Sequence, residues 1–568
     1  MSNKDPESSF ILSLDSPHST LITTGGKGHN LSVLSRNGTF PVPNGFCVTV
    51  AAYRDFVENG GLREEIEAAL ALLNGGGDND AEGGDTNISV DEISKEIRAA
   101  FHKRTLSQFL QTEITKALLD HFPNNNESSN TYLAVRSSAT CEDMPDASFA
   151  GQHDTYLNVA PIPDNVCKHI IDCFSSLFAP RAISYRQANR INHLDAGMAV
   201  VVQAMVQSHC SGVLFTANPV SGRRNESVLE VIPGLGEALV SGMTEPDRYI
   251  VKRGEELRIK DQRIGKKAKA IQSVEGGGVK EVVDTTGEGT AVLTEDQVKD
   301  LVVLGQKVSA LFGNTPQDIE FAISKEGIIY VVQSRPITTL FPLPNVPPEP
   351  LQIFFSFNAV QGISAPIFPA GQDALNGPNG LLGGLLQYLS WGRFGNGSVL
   401  HRVAGRLYGN ATNIVRNSFG RSVYLKVVPL AEPGILAGLE EAIREPGLEI
   451  RSGLNLTLIL RLMSIGVVVL PRYILNYMFP DRARERVSAL TDEVVANVEK
   501  EAENVSGLAD VIEFKQKTMK GLFPKIFLQF LPCVAPAMHS MALLMKLSEK
   551  LSDGKNQVLA ILVSDIYY

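Results

Sequence analysis

Two clusters of residue types in this chain could do chemistry. The first is Val135-Arg136-Ser137-Ser138-Ala139-Thr140-Cys141-Glu142-Asp143, continuing through Met144-Pro145-Asp146-Ala147-Ser148-Phe149-Ala150-Gly151-Gln152. It sets one guanidinium, several hydroxyls, acids and small residues within about a loop's length, just after the apolar run 132–135. Such a loop offers backbone N–H groups, the Ser137 and Thr140 hydroxyls and one fixed cation to an anion with several oxygens, as a triphosphate has. An ordinary polar turn between a strand and a helix would use the same residues. The second cluster is Asp318-Ile319-Glu320-Phe321 with Gln333-Ser334-Arg335-Pro336-Ile337-Thr338. Residues i and i+2 of a strand share a face, so Asp318 and Glu320 point one way and Ile319 and Phe321 the other. Gly327 lies near the turn, and Gln333 and Arg335 share a face on the returning strand. If the polar faces pair, Glu320 and Gln333 supply hard oxygen ligands for Mg2+ while Arg335 reaches a phosphate oxygen. A cross-strand ion pair on an edge hairpin is the plainer reading of the same residues.

Other segments bear on these two. Gly25-Gly26-Lys27-Gly28-His29-Asn30-Leu31 places a lysine among glycines, where the backbone can approach a ligand closely and Lys27 can set a point charge on a phosphate. It is not a P-loop, and a surface turn reads the same way. The stretch 40–56 fits a turn, a short strand and a helix. Met198 to Val206 is apolar and β-branched, as a buried strand requires. Ser211-Gly212-Val213-Leu214-Phe215-Thr216-Ala217-Asn218-Pro219, Glu230 and Gly234-Leu235-Gly236-Glu237-Ala238-Leu239-Val240-Ser241-Gly242 follow, the glycines of the last shaping a turn. His209, just before the first of these, reads as a solvated loop residue.

Taken in order, these segments resemble the ATP-binding domain of the phosphoenolpyruvate synthase and pyruvate phosphate dikinase family, a group that includes rifampicin phosphotransferase. The resemblance is specific for about residues 20–340 and loose beyond. It implies an α/β (α+β) fold with a two-lobed, ATP-grasp-like nucleotide-binding domain. It also implies that Lys27, Arg136 and Arg335 hold the triphosphate, that Ser137, Thr140 and Gly151 belong to the nucleotide-binding loop, and that Glu320 and Gln333 hold Mg2+. Asp318 then supports the metal or the transferring group. Gln203, Met205 and Val206 resemble the hinge that offers backbone groups to adenine, although core packing explains each equally well. The implied chemistry is positioning plus charge neutralisation, with ATP and Mg2+ as cofactors and AMP and inorganic phosphate as products.

The elements that must position these residues follow from pattern. Ser89 with Glu92 makes a capping box, and Ile93, Ile97, Phe101, Leu106, Leu110, Ile114 and Leu118 recur at helical spacing, giving a core-facing helix pair. Residues 164–193 read as helix. Residues 74–87 are rich in Gly, Asp and Asn and read as a disordered loop. The expected layout is an ATP-binding domain over 1–340, with lobes of about 1–197 and 198–340, a Pro-rich linker over 341–350, and a partial, mainly helical acceptor-type domain over 351–568. The formal charge of -10 without a basic stripe argues against nucleic acid. Six cysteines without a repeated spacing, Cys167 and Cys173 flanking His169 among them, read as small packed side chains of a reducing, cytoplasmic compartment. The most hydrophobic window, Leu454 to Leu470, contains Arg461 and reads as a buried helix rather than a membrane span.

One part of the implied reaction has no counterpart here. In the family a histidine on a mobile domain carries the phosphoryl group, in a T-S-H-A-type stretch; His539 comes nearest in composition and lacks the preceding glycines. The chain therefore reads as an incomplete or cut-down ATP-dependent dikinase-type phosphotransferase whose acceptor, in the intact enzyme, is pyruvate or a small drug-like molecule. The middle segments Gln361-Gly362 and Ala404 to Asn410 tilt this towards the rifampicin phosphotransferase-like branch. The alternative is a non-catalytic ATP-binding module, or one that serves a separate phosphohistidine carrier.

Overall fold

The computed structural model describes residues 9–74, 89–123, 131–140 and 154–340, apart from 190, 255, 268, 275–276 and 284–288, with the backbone of 143–144 and 147–148; beyond 340 it describes chiefly 342–344, 351–356, 366–372, 400–425, 435–444 and 456–514. The disordered-loop assignment for 74–87 falls almost wholly outside the described residues, as do Gly151, Gln361-Gly362 and His539. The chain divides into two compact units, Met1–Phe341 and Pro342–Tyr568.

The first unit begins with β1 (Ile11–Ser13), α1 (Leu21–Asn37), β2 (Gly45–Val48), α2 (Val50–Glu58), α3 (Leu62–Asn74), α4 (Val90–His102), α5 (Gln108–His121) and β3 (Leu133–Ala139). Two short paired strands follow, β4 (Asp143–Met144) and β5 (Ala147–Ser148), then β6 (Thr155–Val159), α6 (Pro163–Ser176), α7 (Pro180–Ala188) and β7 (Met198–Ala204). The first sheet is antiparallel with order β1-β2-β7-β3-β6. Its central strands β2, β3 and β7 are buried almost throughout, which is why β2 and β7 read as continuous apolar runs. Phe46, Val48, Val200 and Val202 face a core built with α2 to α7, while Cys47 and Val201 face Leu31 of α1. Tyr53, Phe56, Phe101, Phe174 and Phe178 interlock there with ring centroids 5.3–5.8 Å apart. Each such ring contributes about 1.5–3 kcal/mol by leaving water. The Ser89–Glu92 box caps α4 as expected, with Glu92 N donating to Ser89 Oγ at 3.2 Å and Ser89 N to the Glu92 carboxylate at 3.0 Å. The helical reading of 164–193 is broken at 177–179, where Pro180 starts a new helix because its ring cannot continue the old one.

The second sheet is assembled from β8 (Ser208–Phe215), β9 (Glu226–Pro233), β10 (Asp247–Lys252), β11 (Arg258–Arg263), β14 (Gln317–Ser324) and β15 (Ile329–Pro336), in the order β11-β10-β9-β8-β14-β15. Between these come α8 (Glu237–Val240), the hairpin β12 (Lys269–Ser273) with β13 (Val279–Val283), and α9 (Glu295–Leu311). Val298, Leu301, Val302 and Val308 of α9 pack on Leu214, Leu229, Val231, Ile319, Phe321 and Val331. The change of sheet falls between Ala204 and Ser208. That is later than the expected division at 197/198, because Met198–Ala204 pairs with β2 and β3. His209 lies in β8 rather than in a turn before it, and its side chain is exposed.

Helix α1 belongs to both halves. Leu31 enters the first core and Leu34 the second, and Asn30 Nδ2 donates to Ser334 O at 2.9 Å. The helix is interrupted at Gly25, with φ 66 and ψ -179, and resumes through the GGKG segment. This segment is therefore the buried start of a helix rather than a surface turn.

The second unit, described by itself, contains a three-stranded antiparallel sheet that the sequence reading did not anticipate: β16 (Phe354–Ser356), β17 (Leu400–Val403) and β18 (Arg406–Asn410), in the order β16-β18-β17. Helices α10 (Thr412–Arg416), α11 (Ile435–Arg444), α12 (Leu456–Met478) and α13 (Pro480–Ala502) follow. The expectation of a buried helix over 454–470 is corrected: Met463, Val467 and Leu470 are 58–73% exposed. Among the described residues no helix is long and apolar enough to cross a membrane.

An added Cβ at Gly25 would stand 2.2 Å from Ser138 O, on a backbone with φ 66 that side chains rarely adopt. Gly25→Ala is expected to destabilise the first unit by about 2–4 kcal/mol, read as a fall in its denaturant midpoint with an unchanged slope.

Candidate functional site

Between the two sheets of the first unit lies a cavity of about 760 Å³. Lys27, Arg136, Gln203, Met205, Val206, Asp318, Glu320, Gln333 and Arg335 all line it, drawn from α1, both sheets and the connection between them. One end is polar, because Arg136, Glu320, Gln333, Asp318 and Arg335 bond to one another there. The other is apolar, where Met205, Leu235 and Leu239 cluster.

Arg136 is only 8% exposed and its guanidinium spans the gap between the sheets. Nη1 donates to Val332 O at 2.6 Å, and Nη2 to Glu320 Oε2 at 2.9 Å and Gln333 Oε1 at 2.7 Å. A bulge makes the first of these bonds possible. Glu320 pairs with Gln333 but Phe321 pairs with Val331, so Val332 is an extra residue whose carbonyl is taken by Arg136. The segment from Val135 is thus not a loop from its start, since Leu133–Ala139 is a fully buried strand. Its hydroxyls are tolerated because each has a partner. Ser138 Oγ donates to Thr24 O at 2.7 Å and accepts from Gly28 N at 3.1 Å, while Ser137 Oγ donates to Asp154 O at 2.8 Å.

Asp318 and Arg335 face each other across β14 and β15, and the Asp318 carboxylate accepts from Arg335 Nε at 2.9 Å and Nη2 at 2.7 Å. Burial pushes the Asp318 carboxyl above its usual range. Arg335 opposes this shift and Glu320 adds to it. Arg181 pairs with Asp154 at 3.4 Å, so three arginines of the cavity wall each hold a carboxylate. Lys27 lies in the first turn of the helix that resumes after Gly25, where backbone N–H groups and the helix dipole favour an anion. Glu320 Oε2 and Gln333 Oε1 converge on the same Arg136 nitrogen, so two hard oxygens already surround one positive group. That donor set fits a small hard cation.

Not every expected residue reaches the cavity. Ser137 points to the other side of β3 from Arg136, and Thr140 Oγ1 accepts from Gly197 N at 3.1 Å; neither lines the cavity. The glycines around Lys27 are used for close packing. A Cβ at Gly28 would stand 2.9 Å from Cys47 Sγ and from Thr24 Cβ. Gln203 does line the cavity, with Nε2 donating to Pro43 O at 3.0 Å. Sequence reasoning missed Arg181, Asp154 and Tyr156, which lie on α7 and in or beside β6. No spacing pointed to them, because Asp154 and Tyr156 reach the site through the pairing of β6 with β3 and Arg181, on α7, pairs with Asp154 there. Cys167 and Cys173 make no site with His169, whose Nδ1 bonds Asp172 at 3.0 Å. Burial pushes the Cys167 thiol up to about 11 and that of Cys47 up to about 12, as for packed, unreactive side chains.

Residues 22–343 match the family model described as the pyruvate phosphate dikinase AMP/ATP-binding domain. The chain is similar to a rifampicin phosphotransferase of Streptomyces, 36% identical over 414 residues that make 73% of this chain and 44% of that protein. A rifampicin phosphotransferase of Bacillus subtilis is 34% identical over 421 residues, 74% of this chain and 44% of the relative. A probable phosphoenolpyruvate synthase of Archaeoglobus fulgidus is 42% identical over 316 residues, 56% of this chain and 40% of the relative. The chain thus spans less than half the length of these curated relatives.

Two outcomes follow from the geometry. Arg136→Lys keeps the charge but cannot serve Val332 O, Glu320 and Gln333 together, and is expected to cost about 2–4 kcal/mol in chemical denaturation. The Asp318 carboxyl is raised in the fold, so the folded state binds that proton more tightly than the unfolded chain and loses stability as pH rises from the ordinary carboxylate value through the raised one. Asp318→Asn stays uncharged, so its stability relative to wild type is expected to improve across that window in a pH series of unfolding midpoints.

Proposed function

This chain belongs to the pyruvate phosphate dikinase AMP/ATP-binding domain family, and on that footing we propose that the first unit binds Mg-ATP between its two sheets in an ATP-grasp-like, two-lobed arrangement and that the intact protein is a dikinase-type phosphotransferase. The observation that carries this reading is the convergence of Lys27, Arg136, Asp318, Glu320, Gln333 and Arg335 on one cavity with an apolar opposite end. Phosphates enter the polar end, and adenine enters beside Gln203, Met205 and Val206.

Lys27, Arg136 and Arg335 hold the triphosphate. The arginines are held in place beforehand by Glu320, Gln333 and Asp318, so little side-chain freedom is lost on binding. Glu320 and Gln333 also supply the oxygens for Mg2+, which when bound neutralises phosphate charge. The cavity needs that neutralisation, since Asp154, Glu230, Glu237, Asp318 and Glu320 line it beside Lys27, Arg136, Arg181 and Arg335. A polyanion alone would meet more acids than cations. Asp318 keeps Arg335 aimed and steadies the metal side of the transferring group.

The phosphoryl group is then passed through a phosphohistidine to pyruvate or to a small drug-like acceptor. Similarity to two rifampicin phosphotransferases over 73–74% of the chain, reaching into the second unit, supports the drug-like branch.

Calorimetry with Mg-ATP is expected to show saturable binding by the whole chain, and binding that is absent would overturn the reading. Arg335→Ala should weaken it by about a hundredfold, the scale of a lost charge-assisted pair, while circular dichroism stays unchanged. Unaltered affinity in that variant would remove the hairpin from the site. ATP binding without AMP formation by this chain alone would favour a module that serves a separate phosphohistidine carrier.

A further inference from the structure

Asn158 stands in β6, at the edge of the first sheet, fully buried and with φ 57. Asparagine is among the few side chains that accept this left-handed backbone. The turn aims the amide out of the sheet and into the β12–β13 hairpin. Nδ2 donates to Val274 O at 2.8 Å and to Gly278 O at 2.7 Å, and Gly278 N donates back to Asn158 O at 3.0 Å. Its own backbone N–H meets Met205 Sδ at 3.0 Å. Among the described residues, the hydrogen bonds between β6 and the hairpin all pass through Asn158.

The hairpin is anchored on its other side to the turn before α8. Leu235 N donates to Ile271 O at 3.3 Å, and Ile271 and Val279 pack with Leu235, Leu239 and Met205, which form the apolar end of the cavity. One asparagine therefore joins the edge of the first sheet to the support of the apolar wall. Among the described residues, Asn158 Oδ1 is buried without a hydrogen-bond partner.

We propose that Asn158 is a positioning residue for nucleotide binding: its amide latches the β12–β13 hairpin to the first sheet and so fixes the apolar end of the cavity and sets how long a nucleotide stays. The inference rests on the reading that adenine occupies that end.

The test uses the full chain with Asn158→Asp, which keeps size and backbone tolerance but lacks both donor bonds, and Asn158→Gly, which keeps the backbone and removes the side chain. Amide hydrogen exchange over 269–283 should quicken in both. Mg-ATP affinity should fall about tenfold, mainly through faster dissociation, as expected when one or two buried hydrogen bonds are lost. Affinity for Mg-tripolyphosphate, which lacks the base, should stay as in wild type. Unchanged exchange in the hairpin overturns the latch, and so does an equal loss for ATP and tripolyphosphate. In the wild type, where no variant has to fold, Mg-ATP should protect Lys269 and Lys280 on the hairpin from trypsin; cleavage that ignores ATP also overturns the latch. Wild-type protein that binds tripolyphosphate but gains nothing from the base would instead overturn the placement of adenine, leaving the exchange result to decide whether Asn158 holds the hairpin.

Discussion

A buried guanidinium is the constraint on which the first unit depends. Arg136 sits in a strand whose residues are all buried, where an unpaired cation would cost several kcal/mol. Its partners cannot come from its own sheet, because the ladder already uses the neighbouring backbone. They come from the second sheet instead, as a bulge carbonyl at Val332, a carboxylate at Glu320 and an amide oxygen at Gln333. Satisfying one side chain thus brings two separately cored halves together and leaves a cavity at the join.

The same bonds explain how a structural ion pair and a ligand site can be one object. Read as a fold, β14 and β15 carry a cross-strand Asp318–Arg335 pair on the edge of a sheet. Read as a site, that pair keeps a guanidinium extended towards the cavity and partly offsets the burial that raises the Asp318 carboxyl. Acids that restrain cations in the absence of ligand shorten the conformational search when an anion arrives. They also set a charge balance that a bound metal must complete.

Glycine has an unexpected part in this. Gly25 and Gly28 let α1 lie directly on β3 at Ser138, and that contact fixes the start of the helix on which Lys27 stands. The lysine is positioned by a packed helix terminus, not by a mobile loop. Because α1 also contributes Leu34 to the second core and Asn30 to Ser334, it couples the lysine to the hairpin that carries Arg335.

Local pattern by itself determined much of this protein. The Ser89–Glu92 cap, the helical spacing of Ile93 to Leu118, the buried strand at Met198 and the polar face of the 318–335 hairpin depend on residues a few positions apart, and one-dimensional periodicity reports them. The motif types at Lys27, Arg136, Glu320, Gln333 and Arg335 were legible for the same reason. Tertiary structure alone decided which of them meet. Ser137 and Arg136 are adjacent in sequence but face opposite sides of a strand, so only one reaches the cavity. Arg181 and Asp154 carry no motif; Asp154 is brought there by β6 pairing with β3, and Arg181, on α7, meets it there. The Val332 bulge breaks the strict alternation that a strand pattern assumes. Each of these depends on contacts between residues far apart in the chain, where burial and unsatisfied hydrogen bonds, not local propensity, set the outcome.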